Sequence, residues 1–173
     1  MDVTTALTLV ISPEYHDHIN LIRSQYDRAY PRWPPHINFL FPFVSKDQFP
    51  DLAKRLEEKL KGFGAFNLEF QEIDYFKQGK NLTYHLKPKD DTKLQELSAI
   101  IMKTLAEMKM KHEKFQPHLT LGQSTKAEFD KLSPDFQKWL GKGFTIKVDK
   151  ISFLTRSKTD NTEPFTTDRD VHL

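Results

Sequence analysis

Two short stretches of the chain resemble each other, and each places a histidine next to a polar residue two positions later. The stretches are PHINFL at residues 35–40 and PHLTLG at residues 117–122. Side chains alternate between the two faces of a strand, so His36 and Asn38 share one face if this stretch is a strand. His118 and Thr120 share a face for the same reason. The apolar residues between them then point into a core.

Two histidines on two strands have an obvious chemical use. Imidazole gives and takes protons near neutral pH, so a neutral histidine can act as a base while a protonated one acts as an acid. Such a pair suits a phosphoester, in which the nucleophile loses a proton and the leaving oxygen gains one. Asn38 and Thr120 could donate hydrogen bonds to the non-bridging oxygens. The sequence has no carboxylate cluster, HExxH pattern or phosphate-binding glycine loop, so it predicts neither a metal nor a cofactor.

The composition narrows the class of protein. The chain has 173 residues, a formal net charge of +2 and no cysteine. It is long enough for one domain with a real core, and it cannot use disulfides or thiol catalysis. The charge is too small to argue for non-specific binding of nucleic acid. The apolar run 6–11 is too short to span a membrane, and Asp2 stands where a signal peptide would be basic. We therefore expect a soluble intracellular protein located in the cytoplasm, with the nucleus as the alternative.

Hydrophobic periodicity predicts alternating strands and helices. The predicted strands cover residues 4–11, 36–43, 66–76, 81–87, 118–123, 144–155 and 165–173. The predicted helices cover residues 12–30, 46–61, 91–109 and 127–140, and the last is expected to be interrupted at Pro134.

The two halves of the chain follow one pattern. The long strands 66–76 and 144–154 align in apolar pattern throughout, and the final strands align Tyr84-His85-Leu86 with Val171-His172-Leu173. We infer an α+β fold in which antiparallel sheets with flanking helices form two lobes related by a pseudo-two-fold axis. The lobes make one domain, residues 1–173, and His36 and His118 are expected to face each other across a central cleft.

Taken together, these stretches resemble the signature motifs of the two-histidine phosphoesterases, which include 2′-5′ RNA ligase-like proteins and 2′,3′-cyclic phosphodiesterases. The resemblance covers nearly the whole chain and rests on residues 34–43, 117–122, 151–156 and 164–165. It implies a bilobal fold, action on phosphoesters without a metal, catalytic roles for His36 and His118, and a phosphate contact from Thr120. Asn38 departs from the family pattern, which usually has Thr or Ser there. Arg156 stands at a family-like position and could bind phosphate bidentately.

Other residues have competing interpretations. The tripeptide His18-Ile19-Asn20 repeats His-Ile-Asn inside a predicted helix, where residues two apart do not share a face, so we assign it no function. We expect His85 and His172 to be structural, because their motif lacks a polar partner. Trp33 could stack on a base or pack in the proline loop. Three basic residues precede the second histidine stretch: Lys109, Lys111 and Lys114. They could contact RNA phosphates, but we favour the interpretation that they form a solvated helix end, where cations offset the negative end of the helix dipole.

Three hypotheses for function follow. The first is a metal-independent phosphoesterase that hydrolyses 2′,3′-cyclic phosphate ends of RNA or nucleotides, or ligates them to a 5′-hydroxyl. Its partners would be RNA ends or small nucleotides with a cyclic phosphate, and the protein would be a monomer. The second is a module that binds nucleotides or RNA ends with little turnover, for which Asn38 is the argument. The third is a protein-interaction domain whose repeat is only architectural.

Overall fold

In the computed structural model, which describes residues 1–110 and 113–173, two four-stranded antiparallel sheets form an α+β fold. Sheet 1 has the order β2-β1-β7-β8, and sheet 2 has the order β5-β4-β3-β6. The strands of sheet 1 are β1 (Thr5–Val10), β2 (His36–Leu40), β7 (Lys150–Thr155) and β8 (Thr166–His172). Those of sheet 2 are β3 (Phe66–Gln78), β4 (Asn81–Pro88), β5 (Leu119–Thr125) and β6 (Phe144–Val148).

Four α-helices cover the sheets. They are α1 (His16–Tyr26), α2 (Phe49–Leu60), α3 (Thr92–Thr104) and α4 (Lys126–Leu140). Single 3-10 turns at Pro13–Tyr15 and Lys46–Gln48 lead into α1 and α2. Helices α1 and α4 pack on sheet 2, whereas α2 packs on sheet 1 beside α3. Helix α1 leaves a strand of sheet 1 to cover the other sheet, so the two lobes are interlocked.

Burial follows the predicted apolar stripes. In α2, Phe49, Leu52, Leu56 and Leu60 recur at helical spacing and are fully buried. One core cluster joins Leu9 and Ile37 of sheet 1 to the apolar residues of sheet 2, so the lobes share a core.

The pairing of β3 with β6 has two-fold symmetry. Phe66 pairs with Val148, Leu68 with Ile146 and Phe70 with Phe144 in antiparallel register. In the sequence alignment of the two halves, Phe66 corresponds to Phe144 and Phe70 to Val148. Exchanging each residue for its counterpart in the other half therefore turns the pair Phe66–Val148 into the pair Phe144–Phe70, and leaves the pair Leu68–Ile146 unchanged. This is the pairing expected at a pseudo-two-fold axis.

The prediction of one long strand over 144–155 is wrong. The segment forms β6 and β7, which lie in different sheets and are separated at Asp149. The buried side chains change parity at this point: Ile146 and Val148 are buried in β6, and Ile151 and Phe153 are buried in β7. With a side-chain period of two, this shift means that the core face of the chain changes.

The predicted equivalence of the two final strands also fails. Strand β4 lies inside sheet 2, between β5 and β3, whereas β8 lies at the edge of sheet 1. Accordingly, His85 is buried and His172 is exposed. By position next to a histidine strand, the counterpart of β4 is β1.

Two predictions about the helices are wrong. Helix α4 is continuous through Pro134, because buried Phe129 and Phe136 on either side anchor it to the core. Helix α1 ends at Tyr26 and not at residue 30, since the Asp27 carboxylate accepts the Ala29 amide at 3.0 Å.

Helix α3 ends at Thr104 and is followed by a 3-10 turn, Ala106–Met108, where one helix to residue 109 was predicted. The Thr104 hydroxyl donates to the carbonyl of Ile100 at 2.7 Å, a bond that competes with helix continuation. Strand β2 ends at Leu40 and not at residue 43, since Pro42 has no amide to donate to a ladder. In the described part of the chain, no helix is both long and apolar enough to cross a bilayer.

Candidate active site

The histidine of β2 is held by the proline loop that precedes it. His36 is the first residue of β2, and its Nδ1 atom lies 2.7 Å from the carbonyl oxygen of Pro34. A carbonyl only accepts, so Nδ1 carries the hydrogen and donates. Nε2 is therefore the ring atom left for proton transfer.

The histidine before β5 is held in the same way. His118 Nδ1 donates to the carbonyl oxygen of Gln116 at 2.7 Å, again two residues upstream. Nε2 of His118 is likewise left for proton transfer. Both rings are half-buried. The two stretches thus match in local hydrogen bonding as well as in sequence.

The two histidine strands meet between the sheets. Strands β2 and β5 are the edge strands of their sheets and approach each other. Phe39 of β2 stacks on Phe115, just before β5, with ring centroids 5.4 Å apart. The two imidazoles are close enough to interact electrostatically, because a positive charge on His118 contributes to lowering the pKa of His36. The fold therefore brings together the two histidines that the sequence singled out.

The electrostatic environment keeps His36 neutral. Loss of solvent lowers the pKa of His36 to about 4, opposed by its bond to the Pro34 carbonyl. The positive charge of Arg23 lowers the pKa further, and the negative charge of Asp27 raises it. At neutral pH, His36 is therefore an uncharged imidazole that can accept a proton.

Trp33 packs against His36. The indole stacks on the His36 ring at 4.5 Å and on Phe165 at 3.8 Å, and it meets Phe41 edge-on at 5.0 Å. Of the two predicted roles, the structure shows packing in the proline loop. Trp33 thereby fixes the plane of the His36 ring.

Asn38 and Thr120 occupy matched positions beside the histidines. Asn38 pairs with Thr8 of β1, and Thr120 pairs with His85 of β4. Both side chains are half-buried. The Oδ1 atom of Asn38 is buried and accepts no hydrogen bond from any residue that the structure describes.

Arg156 follows directly after β7. Its guanidinium lies over the Phe165 ring at 5.4 Å, and Nη1 and Nη2 reach the carbonyls of Ser157 and Val3 only at 3.5 Å. Because Phe165 also stacks on Trp33, Arg156 belongs to the aromatic group behind His36. Its role in binding phosphate stays a prediction.

A third imidazole lies next to His118. His85 is 3% exposed, stacks on Phe76 at 4.4 Å and meets the His118 ring edge-on at 5.3 Å. Loss of solvent lowers its pKa to about 4, with a further contribution from His118. Sequence analysis treated His85 as structural and gave no indication that it contacts the site.

A buried ion pair behind His36 was missed by sequence analysis. Arg23 is 1% exposed; its Nε atom donates to Asp27 at 3.1 Å and an Nη atom to the Trp33 carbonyl at 2.9 Å. Asp27 also accepts from the Gln123 side chain of β5 at 3.2 Å. The network thus ties the proline loop of one histidine to the strand of the other. The pair was missed because charges spaced i, i+4 on a helix usually lie on its solvent face.

Of the remaining predicted basic residues, Lys109 is exposed, with a left-handed backbone (φ 51°), and Lys114 lines a cavity described below. Lys111 lies outside the described residues. Among those described, no group of three His, Asp or Glu side chains could hold a metal ion.

Comparison with known protein families gives a match over most of the chain. The sequence model of the 2′-5′ RNA ligase superfamily matches residues 11–160. The chain belongs to this superfamily.

Relatives and solved structures extend the comparison. A protein of Halalkalibacterium halodurans named "Putative phosphoesterase" is 33% identical over 151 residues, 86% of each chain. One of the same name from Staphylococcus haemolyticus is 27% identical over 150 residues, 86% of this chain and 87% of that protein. The crystal structure of E. coli LigT complexed with 3′-AMP superposes with a TM-score of 0.68 at 14% identity, covering 100% of this chain and 99% of LigT. At that identity, the likeness to LigT shows the fold alone.

Proposed function

We propose that this member of the 2′-5′ RNA ligase superfamily is a metal-independent phosphoesterase that opens 2′,3′-cyclic phosphates at RNA ends or on nucleotides. The observation that carries the proposal is the matched pair of bonds from His36 Nδ1 and His118 Nδ1 to backbone carbonyls. Each bond leaves an Nε2 atom free on one of two neighbouring edge strands. Two oriented imidazoles are what acid–base cleavage of a phosphoester needs.

The reaction assigns one proton transfer to each histidine. His36, neutral because its pKa is about 4, takes a proton from water as the water oxygen forms a bond to phosphorus. His118 in its protonated form gives a proton to the ribose oxygen as the bond from that oxygen to phosphorus breaks. The products are a ribose hydroxyl and a phosphate monoester. With a ribose 5′-hydroxyl in place of water, the same steps give ligation.

The polar neighbours bind the phosphate. Thr120 and Asn38 lie two residues after their histidines on the same strand faces, so they can donate to the non-bridging oxygens as negative charge develops. Arg156 supplies a further cation for the phosphate. These assignments remain proposals for all three residues.

The comparisons support the substrate class. The relatives named as phosphoesterases favour a phosphoester, and LigT has been solved with 3′-AMP, a nucleotide with a phosphate on the ribose. We place the activity in the cytoplasm and propose a monomer, which size-exclusion chromatography with light scattering would test.

A nucleotide-binding module with little turnover is the second candidate. It is favoured by Asn38, whose buried Oδ1 has no donor among the described residues and whose amide is larger than the hydroxyl usual in the family. Such a module would bind the nucleotides named below without consuming them.

The deciding experiment is a screen of the four nucleoside 2′,3′-cyclic phosphates with the product phosphate position resolved by chromatography. Turnover is expected in the presence of EDTA and is expected to fall in His118→Ala. The matched control is His172→Gln, since His172 is exposed on edge strand β8. Binding without turnover would favour the module, and turnover restored only by a divalent ion would overturn the mechanism.

A further inference from the structure

A cavity of about 410 Å³ opens beside His118, within the size range of small-ligand sites. Two of its lining residues, Phe76 and His85, contact the His118 ring at centroid distances of 5.0 and 5.3 Å. A ligand in this cavity is therefore adjacent to the imidazole proposed to act on phosphate.

The cavity carries a surplus of positive charge. Its lining includes Lys87, Lys89 and Lys114 against two carboxylates, Asp74 and Asp91. The ammonium of Lys89 lies 3.8 Å from Glu69, a carboxylate outside the lining. Neither Lys87 nor Lys114 has a carboxylate within 4.0 Å among the residues that the structure describes. We call this cavity the lysine pocket.

The two carboxylates of the lysine pocket are partly engaged by protein donors. Asp91 accepts from the Gln95 side chain at 3.0 Å, and Asp74 accepts the amide of Tyr75 at 2.8 Å. Lysine ammonium groups bind phosphate as point charges, and Lys87 and Lys114 have no such internal partner. An anion is therefore the ligand that the free charges favour.

The wall of the pocket nearest the site is neutral and ring-lined. Phe76 stacks on His85. The Nδ1 atom of His85 is buried without a well-formed hydrogen bond to any described residue, although the backbone of Thr83 is near enough to raise the pKa of the ring. The ring surfaces of this wall suit the ribose or base that joins two phosphates.

We propose that the lysine pocket binds a second phosphate of the substrate, through Lys87 and Lys114, while the cyclic phosphate lies between His36 and His118. This inference rests on the proposed function and narrows it: the preferred substrate carries a phosphate besides the reacting one. That phosphate is either the 5′-phosphate of the same nucleotide or the phosphodiester of a neighbouring nucleotide in an RNA chain.

The test measures binding of non-reacting nucleotides by calorimetry. The ligands are adenosine 3′-phosphate, adenosine 3′,5′-bisphosphate and the dinucleotide ApA with a 3′-phosphate. We expect the better of the two ligands with two phosphates to bind about tenfold more tightly than the monophosphate, which corresponds to one charge-assisted contact. The ligand with the higher affinity shows whether the second phosphate is a 5′-phosphate or a phosphodiester.

Variants locate the effect. Lys87→Gln combined with Lys114→Gln is expected to bring the affinity ratio close to one while leaving the binding of adenosine 3′-phosphate within about twofold. Lys131→Gln, an exposed lysine of α4, is the matched control and should keep the wild-type ratio. All three lysines are exposed, so the variants should fold normally.

The outcomes separate this inference from the proposed function. Equal affinities in the wild-type protein, or a ratio that survives the double lysine variant, would overturn the lysine pocket assignment. Turnover of nucleoside 2′,3′-cyclic phosphates tests the proposed function separately, because those substrates have no second phosphate. If no turnover is found while the two-phosphate ligands keep their higher affinity, the proposed phosphoesterase activity is rejected and the lysine pocket assignment stands.

Discussion

Leu68 and Ile146 pair across β3 and β6, and they are also equivalent residues in the alignment of the two halves of the chain. A residue that pairs with its own counterpart lies on a two-fold axis. Both side chains are buried, at 1% exposure each. The axis therefore passes through the part of sheet 2 where the halves of the chain meet.

The same symmetry accounts for the candidate site. His36 is the first residue of edge strand β2, His118 directly precedes edge strand β5, and each donates Nδ1–H to a carbonyl two residues upstream at 2.7 Å. The surroundings are not symmetric, because His36 stacks on Trp33 whereas His118 contacts Phe76 and His85. Similar backbones with different neighbours allow one imidazole to act as base and the other as acid.

Replacing either histidine should remove one proton transfer. We expect His36→Ala and His118→Ala each to lower kcat by roughly 10²–10⁴-fold on a 2′,3′-cyclic nucleotide. The double variant should lose much less than the product of the two, since groups that act as a unit are not additive. Thr120→Ala should cost less than either, because no proton transfer is lost. Steady-state kinetics check this, and near-normal turnover in His36→Ala would contradict the two-histidine mechanism.

The acidic limb of the pH–rate profile should report His36. As base, His36 must be neutral, and loss of solvent lowers its pKa to about 4. The profile of kcat/KM, which reflects the free enzyme, should therefore fall on the acid side with a half-point near pH 4 and not near 6.5. The His36→Ala variant should lack this limb. A half-point near 6.5 would assign the base to a solvated imidazole.

Stability should also depend on pH through His85. Its pKa is about 4 in the folded protein and 6.5 when unfolded, so between these values the unfolded chain binds more protons. The contribution of His85 is fully present above pH 6.5 and is lost as the pH falls toward 4. Urea denaturation at pH 7.5 and 5.0 should show a smaller pH-dependent loss in His85→Gln than in the wild type. Equal losses would show that His85 is already accessible to protons.

Much of the fold could be predicted because local patterns are strong. The matched histidine stretches, the stripe of α2 and the apolar pattern shared by 66–76 and 144–154 all appear in the structure. The passage of the chain from sheet 2 to sheet 1 between β6 and β7 was missed. The sequence does contain a sign of it, because the residues of the two large core clusters change from even positions, up to Val148, to odd positions, from Ile151. The same change occurs in β3, between Phe70 and Ile73, where a bulge absorbs it and the strand stays in one sheet.

The rest of the site depends on contacts between distant elements. Arg23 and Asp27 look like a surface pair in the sequence and become buried only because α1 crosses to sheet 2. His85 reaches His118 only through the pairing of β4 with β5. Neither relationship leaves a periodic or motif signal, so pattern analysis could not have found them.

The approach of α1 to β5 should be sensitive to one atom at Gly122. A Cβ atom there would lie 2.7 Å from Cβ of Tyr26 and 2.8 Å from its carbonyl oxygen. Gly122→Ala should therefore destabilise the protein by about 1–3 kcal/mol through overpacking, as measured by urea denaturation. Gly79→Ala is the control for loss of a glycine, since a Cβ there meets nothing within 4 Å, although its positive φ adds a small cost. A larger loss at Gly79 than at Gly122 would contradict the close contact.

Asn38→Thr is the substitution that separates the two candidate functions. The buried Oδ1 of Asn38 has no donor among the described residues, and an unsatisfied buried acceptor costs about 1–3 kcal/mol. A hydroxyl is smaller and can rotate to donate, so Thr should raise stability toward that amount and keep or raise kcat on 2′,3′-cyclic nucleotides. Asn38→Ala is the control, because it removes the unsatisfied atom and also the donor, and it should stabilise the protein while lowering kcat. If Thr lowers kcat as much as Ala does, the site is built around the amide itself. If neither variant nor the wild-type protein turns over any cyclic nucleotide while all three bind it, the binding module is the better description of this protein.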